Sequence, residues 1–327
     1  MRALIWLVLL AGGLWCGWWW VAATGLERGT AAWFDAQTAA GRTATRSSDT
    51  VRGFPNRLDL TISDPVLDDP ASGFGWRAPF VQVFALSYKP WHLITALPPE
   101  QTVTLPDGSG VTITAEKLMA SLIVTPGADL ALDRSTLAGD GLRLTRGDTS
   151  VGVDTLRFGT RQAGTAAVHG IALELTGISP GGLPATSGLA PRIETVRVDT
   201  ELTFDAALDR HAGITQPALV GLVLREGRIN WGDLVIHGKG SLAADATGRA
   251  EGRIDIRISD WSQALRAAVA AGLITPEVAP TWARGLEMLE RAGNGPKGQL
   301  DLPLVMGKGR MTLGPLPLGP APQLTLN

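Results

Sequence analysis

The hydrophobic pattern of the chain changes character after the first 23 residues. Residues 3–23 contain no charged side chain and carry five tryptophans, and an apolar run of this length is what a helix needs to cross a bilayer. After this run, apolar and polar residues alternate with period two in many short segments, a pattern typical of half-buried β-strands. The pattern therefore predicts one membrane helix followed by a β-rich body.

The apolar run favours an uncleaved signal anchor over a cleaved signal peptide. It is longer than the core of about 7–15 residues found in signal peptides, and Trp18, Trp19 and Trp20 stand where a cleavage region is small and polar. Tryptophan prefers the membrane–water interface, so we expect these three side chains there. Cys16 raises the alternative of an acylated lipoprotein, which the bulky Trp15 before it disfavours.

The charges that flank the run indicate its orientation only in part. Arg2 and the amino terminus favour a cytoplasmic start, while the opposite flank has mixed charge. We expect a single-pass protein of the inner membrane whose large domain lies in the periplasm. The expected organisation is a membrane anchor over 1–24, a helical stalk over 25–50 and a β-rich extracytoplasmic domain over 51–327, with helices near 261–292.

The spacing of turn signals predicts the fold class. Gly and Pro fall between apolar segments throughout the chain, and the linkers are short, which favours antiparallel neighbours. The prediction is a mainly β protein, in which a transmembrane helix precedes a large, curved, mostly antiparallel β-sheet structure with a small helical insertion. In that insertion Asp260 can cap a helix that Gly272 ends, and Thr275 can cap a second helix that ends at Gly293.

Composition excludes several functions. The net charge of −2 offers no basic excess for neutralising phosphates, so we expect no nucleic-acid partner. The only cysteine, Cys16, lies inside the anchor, so the domain has neither a disulfide nor a thiol nucleophile. Each histidine is expected at a surface or a strand edge, because no two of them have metal-ligand spacing. These are His92, His169, His211 and His237.

The remaining polar motifs give no catalytic site. Asp64, Asp68 and Asp69 could bind calcium or act as acid and base, but a turn-forming role is the better interpretation. The segment 238–241 lacks the upstream glycine of a phosphate loop, and Ser187 lacks a nucleophile elbow. We therefore expect no metal or other cofactor and no enzymatic activity.

Alternation in the C-terminal half predicts a shared apolar face on neighbouring strands. Residues two apart in a strand lie on the same side of a sheet. The residues expected on this face are Leu222, Leu224, Val235, Leu242, Ile254, Ile256 and Ile258. Arg253, Asp255 and Arg257 are expected on the opposite, wet side.

Two segments resemble a known family. The strand–turn pattern that starts at Leu222 and runs through Asp245, Gly248 and Gly252, together with Gly53-Phe54-Pro55 before a strand, resembles the bacterial family called domain of unknown function 2125. The hairpins between Gly240 and Gly252 are also similar to those of AsmA-like envelope proteins. That likeness implies a membrane-tethered β-rich body with an apolar inner face, linked to lipid handling and envelope maintenance.

Two functional hypotheses remain open at this point. The apolar faces either line an open groove that holds lipid acyl chains or pack on each other as a closed sandwich core. Alternatively, the protein is a structural or interaction protein that contacts another envelope protein through the segments 25–49 and 261–292 and binds no small molecule.

Overall fold

A computed structural model describes residues 1–181, 188–212, 216–293 and 295–325. Its helices in these ranges are α1 (Arg2–Ala39), α2 (Trp261–Ala270) and α3 (Ala279–Ala292), and strands dominate the rest. The strand pairs of the described residues are antiparallel. The predicted mainly β, antiparallel fold class with an N-terminal helix and a helical insertion is confirmed.

The chain divides into two compact units. The first unit comprises Met1–Val124 and Leu137–Asp148, and the second comprises Thr125–Thr136 and Thr149–Asn327. Sequence alternation does not reveal this division, because both units are built from the same kind of antiparallel strand.

The first unit contains helix α1 and the shorter strands. Its strands are β1 (Thr43–Thr45), β2 (Ser48–Arg52), β3 (Arg57–Ser63), β4 (Val66–Asp69), β5 (Phe74–Arg77), β6 (Phe80–Leu86), β7 (Lys89–Ala96), β8 (Glu100–Thr104), β9 (Gly110–Thr114) and β10 (Lys117–Val124). One run of paired strands has the order β2–β3–β6–β7–β10. A second run has the order β1–β4–β5–β8–β9 and continues to part of β11 (Leu132–Arg146), a strand whose residues are divided between the units.

Helix α1 continues without a break from the apolar run into the predicted stalk. It ends at Ala39 and not near residue 50, and strands follow it. Gly41 has a φ of +82°, and the N–H of Arg42 donates to Gln37 O while the N–H of Gly41 donates to Thr38 O. This pair of hydrogen bonds is a Schellman motif, which explains where the helix stops.

The middle of α1 packs on the first run of strands. Ala23 forms a buried cluster with Leu58 of β3 and Ala85 of β6, and Trp19 and Leu26 pack against the cluster. The docked surface of the helix therefore overlaps the end of the apolar run. Removing residues up to 24 would take part of the hydrophobic core of the first unit with it.

The second unit is a meander in which each strand from β12 to β20 pairs with the next along the chain. Its strands are β12 (Thr149–Ala163), β13 (Thr165–Ser179), β14 (Ile193–Phe204), β15 (Leu219–Trp231), β16 (Leu234–Ala244), β17 (Ala250–Ile258), β18 (Leu300–Gly307), β19 (Arg310–Leu313) and β20 (Leu316–Pro320). Tight connections between most of these strands account for the neighbour pairing.

The helical insertion lies between β17 and β18. Asp260 caps α2 by accepting a hydrogen bond from the N–H of Gln263 at 2.9 Å, as the sequence predicts. Gly272, at a φ of +73°, follows the helix end, and the N–H of Leu273 donates to Ala268 O in a second Schellman motif. Helix α3 starts at Ala279, later than the predicted start, because the carbonyl of Thr275 closes a local turn ahead of it.

One carboxylate ties α2 to α3 and to the chain beyond them. Glu290 of α3 accepts hydrogen bonds from Trp261 Nε1 at 2.8 Å and from the N–H of Gly298 at 2.6 Å. The bond from Gly298, followed by that from Trp261, holds the pKa of Glu290 below its usual value. The insertion is thus fixed on itself and on the start of β18.

Candidate functional site

The register of the second unit aligns aliphatic side chains across β12 to β18. Residues that pair directly in an antiparallel sheet lie on the same face. One row of direct partners consists of Leu156, Leu175, Val196, Ile229, Ile236, Ile258 and Leu300. We call this the aliphatic row, and the side of the sheet that carries it the apolar face.

The next rows extend the apolar face along the strands. Phe158, Leu173 and Val198 form one of them, which ends in Ile256 and Leu302. With strands about 4.8 Å apart, the seven strands of the aliphatic row span roughly 29 Å. Half of a bilayer core is roughly 15 Å deep, so this length can accommodate an extended acyl chain.

Six of the seven predicted face residues lie together on the apolar face. Direct pairing and period-two spacing place Leu222, Leu224, Leu242, Ile254, Ile256 and Ile258 there. Val235 is the exception, and its assignment is wrong. It pairs with Asn230, while its neighbours Leu234 and Ile236 pair with Trp231 and Ile229. Val235 therefore points to the opposite side.

The burial of these residues distinguishes a covered end from a more open part. Leu300 and Leu302 are buried beneath Leu286 of α3, with Trp261 of α2 packed beside them. Ile254 is 8% exposed. Trp231, Leu234 and Ala250 on the same face are buried as well. The following larger apolar residues of the face on β12 to β17 are half-buried: Leu156, Phe158, Leu173, Leu175, Val196, Val198, Leu222, Leu224, Ile229, Ile236, Leu242, Ile256 and Ile258.

The opposite side of the same strands is charged. The row next to the aliphatic row reads Arg157, Glu174, Arg197, Arg228, His237, Arg257 and Asp301. Arg197 pairs with Glu174, and Arg257 Nε lies 2.6 Å from Asp301 Oδ1. These contacts raise the pKa of both arginines through hydrogen bonds to the carboxylates. Arg253, Asp255 and Arg257 are exposed on this side.

The described residues of both units line cavities. An open groove of about 660 Å³ lies on the charged side of the second unit, between Arg225 and Asp301. A cavity of about 360 Å³ lies in the first unit, beside Trp33 of α1, Phe74 and Trp76. Neither cavity was predicted, because each depends on side chains from strands that are distant in sequence.

The tryptophans assigned to the membrane interface serve in part to dock the helix. Trp18 Nε1 donates to Ser87 O at 3.2 Å, and Trp19 Nε1 donates to Arg57 O at 2.7 Å. Trp20 is largely exposed. The sequence signal for Trp18 and Trp19 was their clustering, but their partners lie in strands and loops far along the chain.

The four histidines lie in separate surroundings and do not form a metal site with other described residues. Among the described residues, no group of three or more His, Cys, Asp or Glu side chains is placed to hold a metal ion. His92 contacts Ser121, His237 lies on the charged side and His211 contacts Arg210. His169, expected at a surface, is fully buried, because its pairing with Leu202 turns it toward the apolar face.

The aspartates serve local structure. Asp64 lies between β3 and β4 at a φ of +48°, as expected for a turn former. Asp69 accepts a hydrogen bond from the N–H of Ala71, which lowers its pKa. Asp68 lies in β4 opposite Gly75, so its assignment to a turn is wrong.

The other two motifs weighed in the sequence are residues 238–241 and Ser187. Residues 238–241 lie within β16 and not in a phosphate loop. Ser187 lies outside the described residues.

A long apolar helix followed by antiparallel strands fits a membrane-anchored, β-rich protein. Helix α1 is long and apolar enough to span a membrane, a property that signal sequences share. Residues 19–322 match the family model described as an uncharacterised protein conserved in bacteria, DUF2125, and the chain belongs to this family. No curated protein and no solved structure matches the chain. The AsmA-like resemblance stays a hypothesis.

Proposed function

We propose that the protein is a single-pass inner-membrane protein with its large part in the periplasm, and that the apolar face binds lipid acyl chains in support of envelope maintenance. The observation that carries the proposal is the aliphatic row, whose members on β12 to β17 are half-buried. Acyl chains have no polar groups to satisfy, so an uninterrupted aliphatic surface is the complementary site.

The free energy of removing apolar surface from water favours a ligand bound on the apolar face over a face exposed to water. Each 100 Å² of apolar surface removed from water contributes roughly 2.5 kcal/mol. A closed sandwich core would bury both facing layers nearly completely, as Leu300 and Leu302 are buried under α3. The half-buried residues of β12 to β17 leave apolar area that a bound chain would cover. The charged opposite side favours contact with water and gives the sheet one lipid-facing side.

We propose binding and not catalysis as the function. A carboxyl group that donates a proton at neutral pH needs a raised pKa. The carboxylates of Asp69, Asp107 and Asp245 have lowered pKa values, because each accepts hydrogen bonds within its own turn. Such groups stay ionised and stabilise turns.

Replacing Leu173 with Asp should remove most of the lipid that co-purifies with the full chain. Leu173 lies on the apolar face between Phe158 and Val198, and a carboxylate there would repel an acyl chain. The matched control is Ala172→Asp, because Ala172 is exposed on the opposite face. Lipids are extracted from detergent-washed protein and quantified per chain by mass spectrometry. Wild-type protein free of lipid, or equal losses in both variants, would overturn the proposal.

A second candidate function is an interaction protein that uses the helical insertion. Leu273, Val278 and Met288 are apolar and strongly exposed on this insertion. Photo-crosslinking from position 273 in membranes separates the two functions. One stoichiometric protein adduct, together with a lipid-free apolar face, would favour the interaction protein.

A further inference from the structure

We propose that two loops of the first unit with their flanking strand ends, residues 53–57 and 86–90, insert into the membrane interface beside helix α1. This goes beyond acyl-chain binding by the second unit and rests on the anchoring part of the proposed function. The occupant of this surface is the bilayer itself, in the leaflet where α1 leaves the membrane.

Three tryptophans of α1 hold these loops alongside the apolar run. Trp15 Nε1 donates to Pro55 O at 2.9 Å, Trp19 Nε1 to Arg57 O at 2.7 Å and Trp18 Nε1 to Ser87 O at 3.2 Å. Trp19 also contacts Phe54 edge to face, with ring centroids 5.4 Å apart. The loops are therefore fixed at the level of residues 15–19 of the helix.

The length of the helix sets the depth of the loops. At 1.5 Å per residue, the run 3–23 is roughly 31 Å long and matches a hydrocarbon core of about 30 Å. When this run fills the core, Trp19 lies about 6 Å and Trp15 about 12 Å inside the end at Ala23. Loops docked at this level pass the boundary between headgroups and acyl chains and reach about the 5–10 Å to which interfacial elements are buried.

The loops expose side chains that favour the interface, beside the polar Asn56 and the ion-paired Arg57. Phe54 is 55% exposed and Tyr88 is 59% exposed, and Leu86 beside them is also exposed. Aromatic rings with a polar edge favour the interface, and Tyr88 is the only tyrosine of the chain. Lys89 is exposed next to Tyr88, where it can reach lipid phosphates.

Backbone polar groups of the loops form internal hydrogen bonds, which a water-poor environment requires. Groups that leave water need internal hydrogen-bond partners. The N–H of Ser87 donates to Asn56 O at 2.9 Å, and the N–H of Arg57 donates to Gly53 O at 2.8 Å. The tryptophan N–H groups satisfy the carbonyls of Pro55, Arg57 and Ser87. Each loop thus exposes side chains to lipid while pairing these backbone groups internally.

Fluorescence quenching tests the insertion on the full chain. An environment-sensitive dye is attached to Phe54→Cys or Tyr88→Cys in a Cys16→Ser background, and the protein is reconstituted into phosphatidylcholine–phosphatidylglycerol vesicles. The low polarity of the interface should shift the emission to the blue, and a nitroxide near the top of the lipid acyl chain should quench most of it. The control is Ala71→Cys, an exposed turn residue after β4. Asp69 and Phe74, which flank that turn, line a cavity with Trp33, further along α1.

A dye at Leu10→Cys reports on the anchor independently. Quenching by a nitroxide deep in the acyl chain is expected there, because Leu10 lies in the middle of the apolar run. Quenching at position 10 with water-like emission at 54 and 88, equal to that at 71, would overturn loop insertion and leave the anchor intact. Water-like emission at position 10 would overturn the anchor, and loop insertion with it.

Discussion

Replacing Gly240 with alanine should lower the free energy of unfolding by about 3 kcal/mol. Gly240 has a φ of +154°, which side chains rarely adopt. An added Cβ would lie 2.7 Å from the Cα of Ile254 and closer still to the carbonyl oxygen of Arg253. Both atoms belong to the backbone of β17, which cannot move aside without breaking its pairing with β16. Denaturant unfolding of the full chain, followed by circular dichroism, measures the change.

The same strand provides the control for this steric explanation. Gly238 lies two residues earlier in β16 on the same face, and its Cβ would find Leu224 Cδ2 at 3.5 Å, an ordinary contact. Gly238→Ala should therefore unfold within about 0.5 kcal/mol of the wild type. Equal destabilisation by both alanines would mean that added volume on the apolar face, and not the backbone conformation of Gly240, causes the loss of unfolding free energy.

Replacing Ile256 with Asp should abolish most lipid binding while lowering stability by only about 1–2 kcal/mol. Ile256 lies on the apolar face opposite Gly238 and Leu302 and is half-buried. In a closed core an unpaired carboxylate would cost several kcal/mol. At a half-exposed site water solvates the charge, so the larger effect falls on an apolar ligand. Lipid content per chain and the unfolding transition are measured on the same sample.

Val223 supplies the matched control for a new carboxylate in this sheet. It is 45% exposed on the side opposite Leu222 and Leu224, so Val223→Asp should change neither lipid content nor stability. A lipid-free wild type with a loss of several kcal/mol in Ile256→Asp would favour the closed core. Unchanged lipid and stability in Ile256→Asp would place Ile256 in water and contradict the register.

Alternation predicts a strand face well where polar residues separate the apolar ones. Ile254, Ile256 and Ile258 alternate with charged residues, and six of the seven predicted residues share a face. Alternation is uninformative at Leu234-Val235-Ile236, where all three residues are apolar. Only pairing with β15 shows that Val235 faces the other way.

Long-range partners explain what sequence patterns did not predict. The half-buried part of the apolar face on β12 and β13 has a clear period-two signal at Leu156, Phe158, Leu173 and Leu175. Its continuity across the sheet emerges only from the register. The docking of Trp18 and Trp19 depends on carbonyls 69 and 38 residues away, respectively. The tryptophan cluster alone indicates only an affinity for interfaces.

Site-specific photo-crosslinking in native membranes tests the lipid-binding face most directly. A benzophenone side chain is placed at Leu224 or at Val223 of the full chain; these adjacent residues lie on opposite faces of β15. Because the two positions are adjacent in the sequence, they lie at the same distance from the membrane anchor along the chain. They differ in the face of the sheet on which they lie. We expect acyl-lipid adducts from position 224 and few from position 223, detected by mass spectrometry of the irradiated protein. Equal lipid adducts at both positions, or none at position 224, would contradict acyl-chain binding on the apolar face.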